Sequence, residues 1–478
     1  MKKFRWVLLL LIILPCITFM TGCELFSEKY VVGIEKSEQS TELIDVYTIK
    51  YSDGTTSSFS VENGEDGEDL NIEDIYNVAK ENGYTGTFLE FLDDYLTLET
   101  TKNDTVSAVN KAMLSSVIIS CEYPMTGGSF LQEQNDIGFG SGSGVIYKLN
   151  KTAGDAYIIT NFHVVYNSSS HSSNKIASKI VCYLYGADTS KNYKLDENEK
   201  KVYGSDGYPI VEYSDDAIVC EYVGGSMTQD IAVLKVSGSE IIKNSLAKEA
   251  VVSDSNKVQV GTMALAIGNP SGDGFSVTDG IVSVDSEYLT MTAADDITNV
   301  TFRVMRIDTP VNSGNSGGGL YDDEGKLIGI VNAKVIEDNI ENIGYAIPSN
   351  VAKAVADNII KNASSAIKSA KKATIGITLK ADNSRAVYDE EMDTLKIVQD
   401  IYIDEISSNS LASNSDLKVG DKINSVTIKG QKYEISRLFH LIDTVWLLEA
   451  GDIMYFEIEG KTNPVLVEVT ASAISLVE

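Results

Sequence analysis

Histidine is scarce in this chain, with 3 among 478 residues. Chemistry that needs an imidazole therefore has few candidate residues. His171 lies in the Ser/Asn-rich run YNSSSHSSN, which is typical of a solvated loop, and His440 lies in a C-terminal helical pattern. The remaining one, His163, closely follows the apolar run of residues 157–159. It is the best candidate for a general base near neutral pH.

Basic residues are also in short supply. The chain has 39 Lys and Arg against 69 Asp and Glu, a net charge of −30. A surface this acidic argues against nucleic acid as a partner, because phosphates require Lys and Arg. It also repels anionic lipid headgroups. No segment resembles a phosphate-binding P-loop, so we expect no nucleotide dependence, and we expect neither a cofactor nor a metal.

The N-terminus begins MKKFRWVLLLLIILPCITFMTGC. Lys2, Lys3 and Arg5 form a basic region, and residues 7–15 form an unbroken apolar run. Such a run is short for a membrane-spanning helix, and it predicts a secretory signal over residues 1–22. Its removal takes away three basic residues and leaves the rest of the chain still more acidic.

Cysteine is limited to five residues, of which one lies in the signal. Cys182 and Cys220 lie in strand-like runs, KIVCYLYG and AIVCEYVGG, which could be neighbouring strands. In an oxidising location they could form a disulfide, and buried free thiols are the alternative, as for Cys121. Both alternatives stay open.

A Gly/Ser-rich run, DTPVNSGNSG at 308–317, carries the strongest chemical signal. Ser316 stands between glycines, where a tight turn can expose its hydroxyl and aim backbone N–H groups beside it. A serine hydroxyl needs an imidazole as base, and the imidazole needs a carboxylate to orient it. Asp230, at the start of DIAVLKV, is the candidate carboxylate. The order His163, Asp230, Ser316 differs from the Ser, Asp, His order of α/β-hydrolases.

These segments together resemble the HtrA/DegP family of trypsin-like serine proteases. The matching strings are TNFHVV, DIAVLKV, ALAIGNPSG, GIVS, NSGNSGGGL and IGYAIPSN, in the family's order. The resemblance implies that His163 is the general base, Asp230 the acid that orients it and Ser316 the nucleophile. It also implies an oxyanion hole at Gly314, Asn315 and Ser316.

The fold that we expect is mainly β. Short strand-like runs separated by Gly, Asn, Asp and Ser predict two packed antiparallel β-barrels, and the resemblance implies a trypsin-like protease domain over 104–352. The interval between the histidine and the aspartate is long for the family, so residues 167–216 should include a polar insertion, either regulatory or inert. Gly319 stands where the family usually has proline, and we expect it to loosen the active-site loop.

The C-terminal part predicts a helix and linker over 353–372 and a further domain over 373–478. The strings IGITL and LKVGDKINSV in this second segment resemble a PDZ domain, an α+β fold that binds peptide C-termini. The resemblance implies a carboxylate-binding loop at Ile375, Gly376 and Ile377. A generic small α+β domain is the alternative, and His440 is expected to pack rather than to read a ligand.

Residues 23–103 predict a small α+β module of unknown role. Its first half alternates and is punctuated by Asp-Gly and Asn-Gly, which favours a hairpin or meander. The acidic run 65–69 does not have the ligand spacing of a calcium loop and predicts a solvated turn. Helical patterns follow near 71–82 and 87–98.

The string Met20-Thr21-Gly22-Cys23 resembles a bacterial lipobox. The resemblance implies that Cys23 becomes a diacylated N-terminus, which gives stable anchoring. Ordinary signal cleavage beside an incidental cysteine is the alternative. A lipid anchor predicts an extracytoplasmic protein on the bacterial cell membrane.

The resemblances together imply an ATP-independent endopeptidase of unfolded or misfolded envelope proteins, built from trimers. A chaperone or sensor that binds unfolded chains and cleaves them poorly is one alternative. An esterase that uses the same three residues is another.

Overall fold

The structure is a computed structural model, and it divides into two compact units, Met1–Glu99 and Thr100–Glu478. It describes residues 31–37, 44–51, 54–62, 76–77, 79–80, 83–84, 105–129, 132–272, 274–333, 343–364, 366–389 and 394–477. The predicted signal, Cys23, the acidic run 65–69 and the helical pattern 87–98 lie outside these residues. None of the described helices is long and apolar enough to span a membrane.

The first unit contains a three-stranded antiparallel sheet in sequence order. Its strands are β1 (Val31–Lys36), β2 (Ile44–Tyr51) and β3 (Thr56–Glu62). Gly54 lies between β2 and β3 with φ 78°, a conformation that glycine adopts without strain. The alternating sequence predicted this meander.

The second unit begins with helix α1 (Thr105–Met113) and a closed six-stranded barrel of order β10-β11-β6-β5-β4-β7. Its strands are β4 (Ser116–Ser129), β5 (Gln132–Asn150), β6 (Asp155–Thr160), β7 (Lys179–Tyr183), β10 (Ile218–Ser226) and β11 (Ile231–Val236). Branched residues fill the interior, since alternate side chains of each strand point inward. The β4–β5 hairpin is the longest pair and extends beyond the barrel wall.

A second closed barrel follows, of order β12-β13-β14-β17-β16-β15. Its strands are β12 (Met263–Gly268), β13 (Ser276–Thr292), β14 (Asn299–Ile307), β15 (Gly319–Tyr321), β16 (Leu327–Asn332) and β17 (Gly344–Pro348). The mainly β class and the two antiparallel barrels that the sequence predicts are confirmed. The domain boundaries drawn from the sequence stay predictions.

Besides α1, three helices of the described residues accompany the double barrel. A short helix, α2 (Phe162–Val165), follows β6, and α3 (Glu240–Asn244) follows β11. The third, α4 (Ser349–Asn362), follows β17 and contacts strands of both barrels. Its apolar residues recur at helical spacing, and the buried ones include Val351, Val355 and Ile359. The predicted helix and linker at 353–372 overlaps α4, which begins four residues earlier.

The predicted insertion forms a small β arm. Residues 184–217 carry β8 (Lys191–Tyr193) and β9 (Val211–Tyr213), which pair antiparallel. Isolated bridges continue the pairing toward the tip of the arm. We call residues 184–217 the arm below.

The C-terminal part is built from three small sheets and one helix. A four-stranded sheet of order β22-β21-β23-β24 accompanies the pairs β18–β25 and β19–β20. The strands are β18 (Ala370–Ala373), β19 (Ile377–Asp389), β20 (Thr394–Ile406), β21 (Ile423–Ile428), β22 (Gln431–Glu434), β23 (Ile453–Ile458), β24 (Val465–Glu468) and β25 (Ile474–Val477). Helix α5 (Leu438–Thr444) packs on one side against their apolar core.

Candidate active site

The structure brings His163 and Asp230 together. His163 lies in α2, directly after β6, and Asp230 lies in the turn before β11, which pairs with β6. His163 Nδ1 lies 2.7 Å from Asp230 Oδ2, and the His163 backbone N–H donates to Oδ1 at 3.0 Å. These two bonds fix the orientation of the imidazole relative to the carboxylate. Neither of them involves the second ring nitrogen, Nε2.

Two asparagines hold Asp230 in place. Asn332, at the end of β16, donates from Nδ2 to Asp230 Oδ2 at 2.8 Å. Asn161 donates from Nδ2 to the Asp230 carbonyl at 2.9 Å. Asp230 has φ 50°, a left-handed conformation that aspartate tolerates better than most residues but that needs support from its surroundings. Asp230 is 5% exposed, and its carboxylate accepts three hydrogen bonds that stabilise the buried negative charge.

Ser316 lies in a tight turn before β15, and the first barrel holds this turn in place. The Ser143 backbone N–H, in β5, donates to the Ser316 carbonyl at 2.9 Å. Gly317 has φ 82°, and a Cβ there would lie 2.1 Å from Thr160 Oγ1. Only glycine fits this close approach between the serine turn and β6. The turn therefore requires the glycine that follows the serine.

Two backbone N–H groups beside Ser316 are unused. Gly314 has φ 100°, and its carbonyl turns away to accept from Ser143 Oγ at 2.8 Å. The N–H groups of Gly314 and Ser316 donate to no residue in the described part of the chain. Asn315, by contrast, donates its N–H to the Asn312 carbonyl at 3.0 Å. Within the described residues, the turn therefore leaves the N–H groups of Gly314 and Ser316 available, while Asn315 lies between them.

The Ser316 hydroxyl makes no hydrogen bond with His163 in this structure. Its Oγ accepts from the Ala333 N–H at 3.2 Å, and no hydrogen bond between described residues joins it to the imidazole. Both side chains border the same open cleft of ≈ 430 Å³ between the barrels. Phe139, Gly140 and Ser141 of β5 form part of the wall of this cleft.

Asn161, Asn332 and Ala333 were not singled out from the sequence. Asn161 lies two residues before the histidine, and Asn332 and Ala333 end the apolar run LIGIVNA. Their positions at strand ends, next to the predicted site segments, were the only local signal. Within the described residues no group of three or more His, Cys, Asp or Glu side chains is placed to hold a metal.

The three cysteines of the first barrel are buried free thiols. Cys182 in β7 and Cys220 in β10 lie on paired strands, and no disulfide joins them. Burial raises the pKa of Cys121 to about 12. A thiol held protonated in this way is a poor nucleophile. All three cysteines pack with the apolar side chains inside the barrel.

The predicted carboxylate-binding loop lies just before β19. Ile375 is 4% exposed, Gly376 has φ 81°, and Ile377 is the first residue of β19. The Ile375 carbonyl accepts from Ala412 N–H at 3.0 Å, and the Gly376 carbonyl from Ser407 N–H at 2.9 Å. No described residue accepts from the N–H groups of Ile375 or Gly376.

The two barrels and the cleft between them define a trypsin-like hydrolase. A family model described as a trypsin-like peptidase domain matches residues 142–330. This match covers the predicted nucleophile, base and acid.

Relatives extend the likeness beyond this domain. Serine protease Do-like HtrB of Bacillus subtilis (strain 168) is 31% identical over 397 residues, which cover 78% of this chain and 74% of that protein. Serine protease Do-like HtrA of the same strain is 30% identical over 315 residues, which cover 64% of this chain and 58% of that protein. The serine protease HtrA-like of Staphylococcus aureus (strain USA300) is 31% identical over 288 residues, 59% of this chain and 31% of its own length.

Among solved structures, HtrA-type proteases are similar to this chain. The HtrA-type protease AlgW with decapeptide has a TM-score of 0.43 at 22% identity, with 77% of this chain and 98% of that chain covered. The match to the HtrB protein shows that the chain belongs to the HtrA-type (Do-like) serine protease family. Its class is therefore serine endopeptidase.

Proposed function

We propose that this chain hydrolyses peptide bonds with Ser316 as nucleophile, His163 as general base and Asp230 as the carboxylate that orients the base. His163 donates from Nδ1 to the carboxylate, so Nε2 is free to take the serine proton. Nε2 then gives that proton to the leaving amine, and water repeats the cycle on the acyl-enzyme. The 2.7 Å contact between His163 and Asp230 carries this proposal.

The oxyanion of each tetrahedral intermediate binds to the N–H groups of Gly314 and Ser316. Neither N–H group donates to a described residue. One belongs to the nucleophile Ser316 itself, and the other lies two residues before it. The Asn315 N–H has a different role, since it closes the turn onto Asn312. Two fixed donors of this kind stabilise the developing charge without reorganising during the reaction.

Binding of substrate turns the Ser316 hydroxyl from Ala333 to His163. In the resting structure Oγ accepts from Ala333 N–H at 3.2 Å. A serine side chain moves between staggered rotamers without displacing its backbone, which the Ser143 N–H holds in place. We propose that such a rotamer change forms the serine–histidine hydrogen bond, because both side chains border the same cleft.

Labelling with a fluorophosphonate tests the nucleophile, and turnover of unfolded casein tests the reaction. We expect Ser316 to be labelled, and Ser316→Ala to lower kcat on casein by a factor on the order of 10⁶. Ser313→Ala is the matched control, because Ser313 borders the same cleft in the same turn. Full casein cleavage by Ser316→Ala would show that another residue is the nucleophile.

A second candidate function is a chaperone or sensor that binds unfolded chains and cleaves them poorly. The observation that favours it is the hydroxyl of Ser316, which is bonded to Ala333 instead of His163. Unfolded casein distinguishes the two. Suppressed aggregation without product peptides, together with absent fluorophosphonate labelling, would establish the binding protein.

The C-terminal part is proposed to be a PDZ-like domain that captures the free C-terminus of a peptide at Ile375, Gly376 and Ile377. Two unpaired N–H groups in a left-handed glycine turn support this assignment. A peptide with a free carboxylate should bind at least 10-fold more tightly than its amidated form. Equal binding of both forms would rule out carboxylate capture at this loop.

We further propose that Cys23 is diacylated and anchors the protein outside the bacterial cell membrane. The lipobox-like string Met20-Thr21-Gly22-Cys23 supports this proposal. Cys23→Ala should release the protein into the soluble fraction or block signal removal. Membrane retention of a fully processed Cys23→Ala protein would contradict it.

The substrates that we propose are unfolded or misfolded proteins of the envelope, and the assembly that we propose is trimer-based. Both rest on resemblance to the family. Light scattering of the protein without its signal would test the assembly, with a mass of three chains as the expected result.

A further inference from the structure

The arm is a distinctive segment of the described chain that the proposed mechanism does not use. It is rich in tyrosine and lysine, and it is folded along its length through the β8–β9 pair and the bridges Leu195–Lys201 and Tyr203–Pro209. A segment with this much internal pairing presents its side chains in fixed positions.

The arm binds to the β4–β5 hairpin at Asp136. Lys201 Nζ lies 2.8 Å from Asp136 Oδ1 and 3.1 Å from Oδ2. Tyr193 Oη donates to Asp136 Oδ1 or to the Ile137 carbonyl, each at 3.2 Å. The ammonium of Lys201 also lies 3.7 Å from the centre of the Tyr193 ring. The contacts converge on one short stretch of β5 and join the arm firmly to it.

The same stretch of β5 carries Phe139. The rings of Phe139 and Tyr193 are 5.9 Å apart at 56°, and Lys191 Nζ lies 5.0 Å from the centre of the Phe139 ring. Lys191 is itself held by a hydrogen bond to Ser120 Oγ at 2.9 Å. The arm therefore covers one side of the Phe139 ring and sets its orientation.

The rest of the Phe139 ring is open and borders the active-site cleft. The residue is 41% exposed and shares the cleft wall with Ser316. The arm supports one side of the Phe139 ring, and the ring also borders the cleft that contains Ser316. Such a ring is a preformed binding surface for an apolar side chain.

The strand register gives the approximate separation along β5 between Phe139 and Ser143, the residue that contacts the serine turn. The Ser143 N–H bonds to the Ser316 carbonyl, and Phe139 lies four residues earlier on β5. At about 3.3 Å per residue the separation is ~13 Å along the strand. Gly140 and Ser141 line the cleft in between. A substrate in extended conformation has the same rise, so a side chain two to four residues from the scissile bond reaches Phe139.

We propose that Phe139, braced by the arm, is a subsite that selects a large apolar or aromatic substrate residue two to four positions from the scissile bond. This inference rests on the proposed protease function and names part of its specificity. The occupant is an extended peptide segment of the substrate, because the subsite is continuous with the cleft that holds the nucleophile. Tyr193 is a positioning residue, since it acts through the Phe139 ring.

Two matched substrate series test the proposal. The short series ends in a thioester leaving group directly at the scissile bond. The long series has the same acyl part and extends for four residues on each side of the scissile bond. Leucine, phenylalanine or serine is placed at each of these positions in turn. For the native protein we expect kcat/KM to favour leucine or phenylalanine over serine by about 10-fold at one position.

Variants then show which residues cause this preference for apolar residues over serine. In Phe139→Ala the apolar-to-serine ratio at that position should fall to near one. Tyr193→Ala should lower the ratio at least threefold, and Tyr193→Phe should restore most of it because the ring contact is kept. Leu195→Ala is the control on the arm: it is 53% exposed, lies outside the cleft wall, and should leave the ratio unchanged.

The outcomes separate this inference from the function on which it rests. If neither series is hydrolysed, the proposed protease function fails. If the short series is hydrolysed but the long series shows no preference for apolar residues, the subsite is overturned while the protease function stands. The same conclusion follows if Phe139→Ala keeps the native preference. Unchanged selection in Tyr193→Ala would overturn the role of the arm.

Discussion

A buried ion pair joins the second barrel to the C-terminal helix α5, and its removal should weaken the junction strongly. Arg303 in β14 bonds to Asp443 in α5, and the Arg303 residue is 3% exposed. Its guanidinium also lies 3.6 Å from the centre of the Phe439 ring and donates from Nε to Ser286 Oγ at 3.1 Å. A guanidinium enclosed in this way has little water to replace a lost carboxylate.

The expected cost depends on which partner is removed. Asp443→Ala leaves Arg303 charged, buried and unpaired, which costs about 3–5 kcal/mol. Arg303→Met should cost less, because burial raises the pKa of the Asp443 carboxyl and lets it take a proton instead. Replacing both together, by Arg303→Met and Asp443→Leu, removes the unpaired charge, and the loss should shrink to about 1–2 kcal/mol for the abandoned hydrogen bonds.

Urea unfolding followed by Trp446 fluorescence measures these free energies. Trp446 is 4% exposed, lies at the same junction and is the only tryptophan once the signal with Trp6 is absent. Glu449→Ala is the control, because its ion pairs with Lys361 and Lys429 are exposed and should each be worth less than 1 kcal/mol. A loss of less than 1 kcal/mol in the free energy of unfolding of Asp443→Ala would refute the reasoning. So would a double variant whose loss equals the sum of the losses in the two single variants.

Three further outcomes are expected. Asp230→Asn should lower kcat on a fluorogenic peptide by about 10⁴, since the amide no longer favours the required His163 tautomer; a loss below 10-fold would contradict the assigned role. Asn332→Ala removes one of three donors to Asp230 and should lower kcat/KM by roughly 10- to 100-fold, and Asn332→Ser, which keeps a donor, should lose less. Burial, together with Arg303 and Arg437, lowers the pKa of His440 to about 4. The unfolded chain then binds more protons between pH 4 and 6.5, so stability should fall by up to about 3 kcal/mol as pH falls through this window, and His440→Gln should flatten the Trp446-detected profile in the same range.

The site could be predicted from the sequence where its parts are local. His163 and Asp230 each lie next to an apolar strand, and Ser316 lies in a Gly-rich turn, so each segment carries its own signal. Asn332 could not be predicted, because its side chain reaches Asp230 across 102 positions of sequence. Asp230 precedes β11 of the first barrel and Asn332 ends β16 of the second, so their contact forms only where the two barrels meet. The orientation of the Ser316 hydroxyl is likewise a tertiary property.

The arm shows the limit of composition as a guide. Its polar residues predicted an insertion within residues 167–216, and the arm occupies residues 184–217, but polarity says nothing about how such a segment attaches to the barrel. Tyr193, Lys191 and Lys201 are typical surface residues in the sequence, and their contacts with Asp136 and Phe139 require the register of a strand more than fifty positions earlier. Segments that join a protein through hydrogen bonds and cation–π contacts, instead of an apolar core, leave no periodic pattern.

Gly319 leads to a similar conclusion about the active-site turn. The sequence predicted a looser turn, since glycine replaces a more rigid residue there. In the structure Gly319 is the first residue of β15 and is buried, and a Cβ at this position would lie 2.3 Å from the Tyr321 ring. The Tyr321 ring is fully buried, and its hydroxyl bonds to Ser115 and Ser116 at 3.2 Å each. The glycine thus makes room for a ring that ties the end of the serine turn to the start of β4. Backbone freedom at one residue is offset by a packed side chain two residues later, so the competence of the turn depends on the pair and cannot be read from either residue alone.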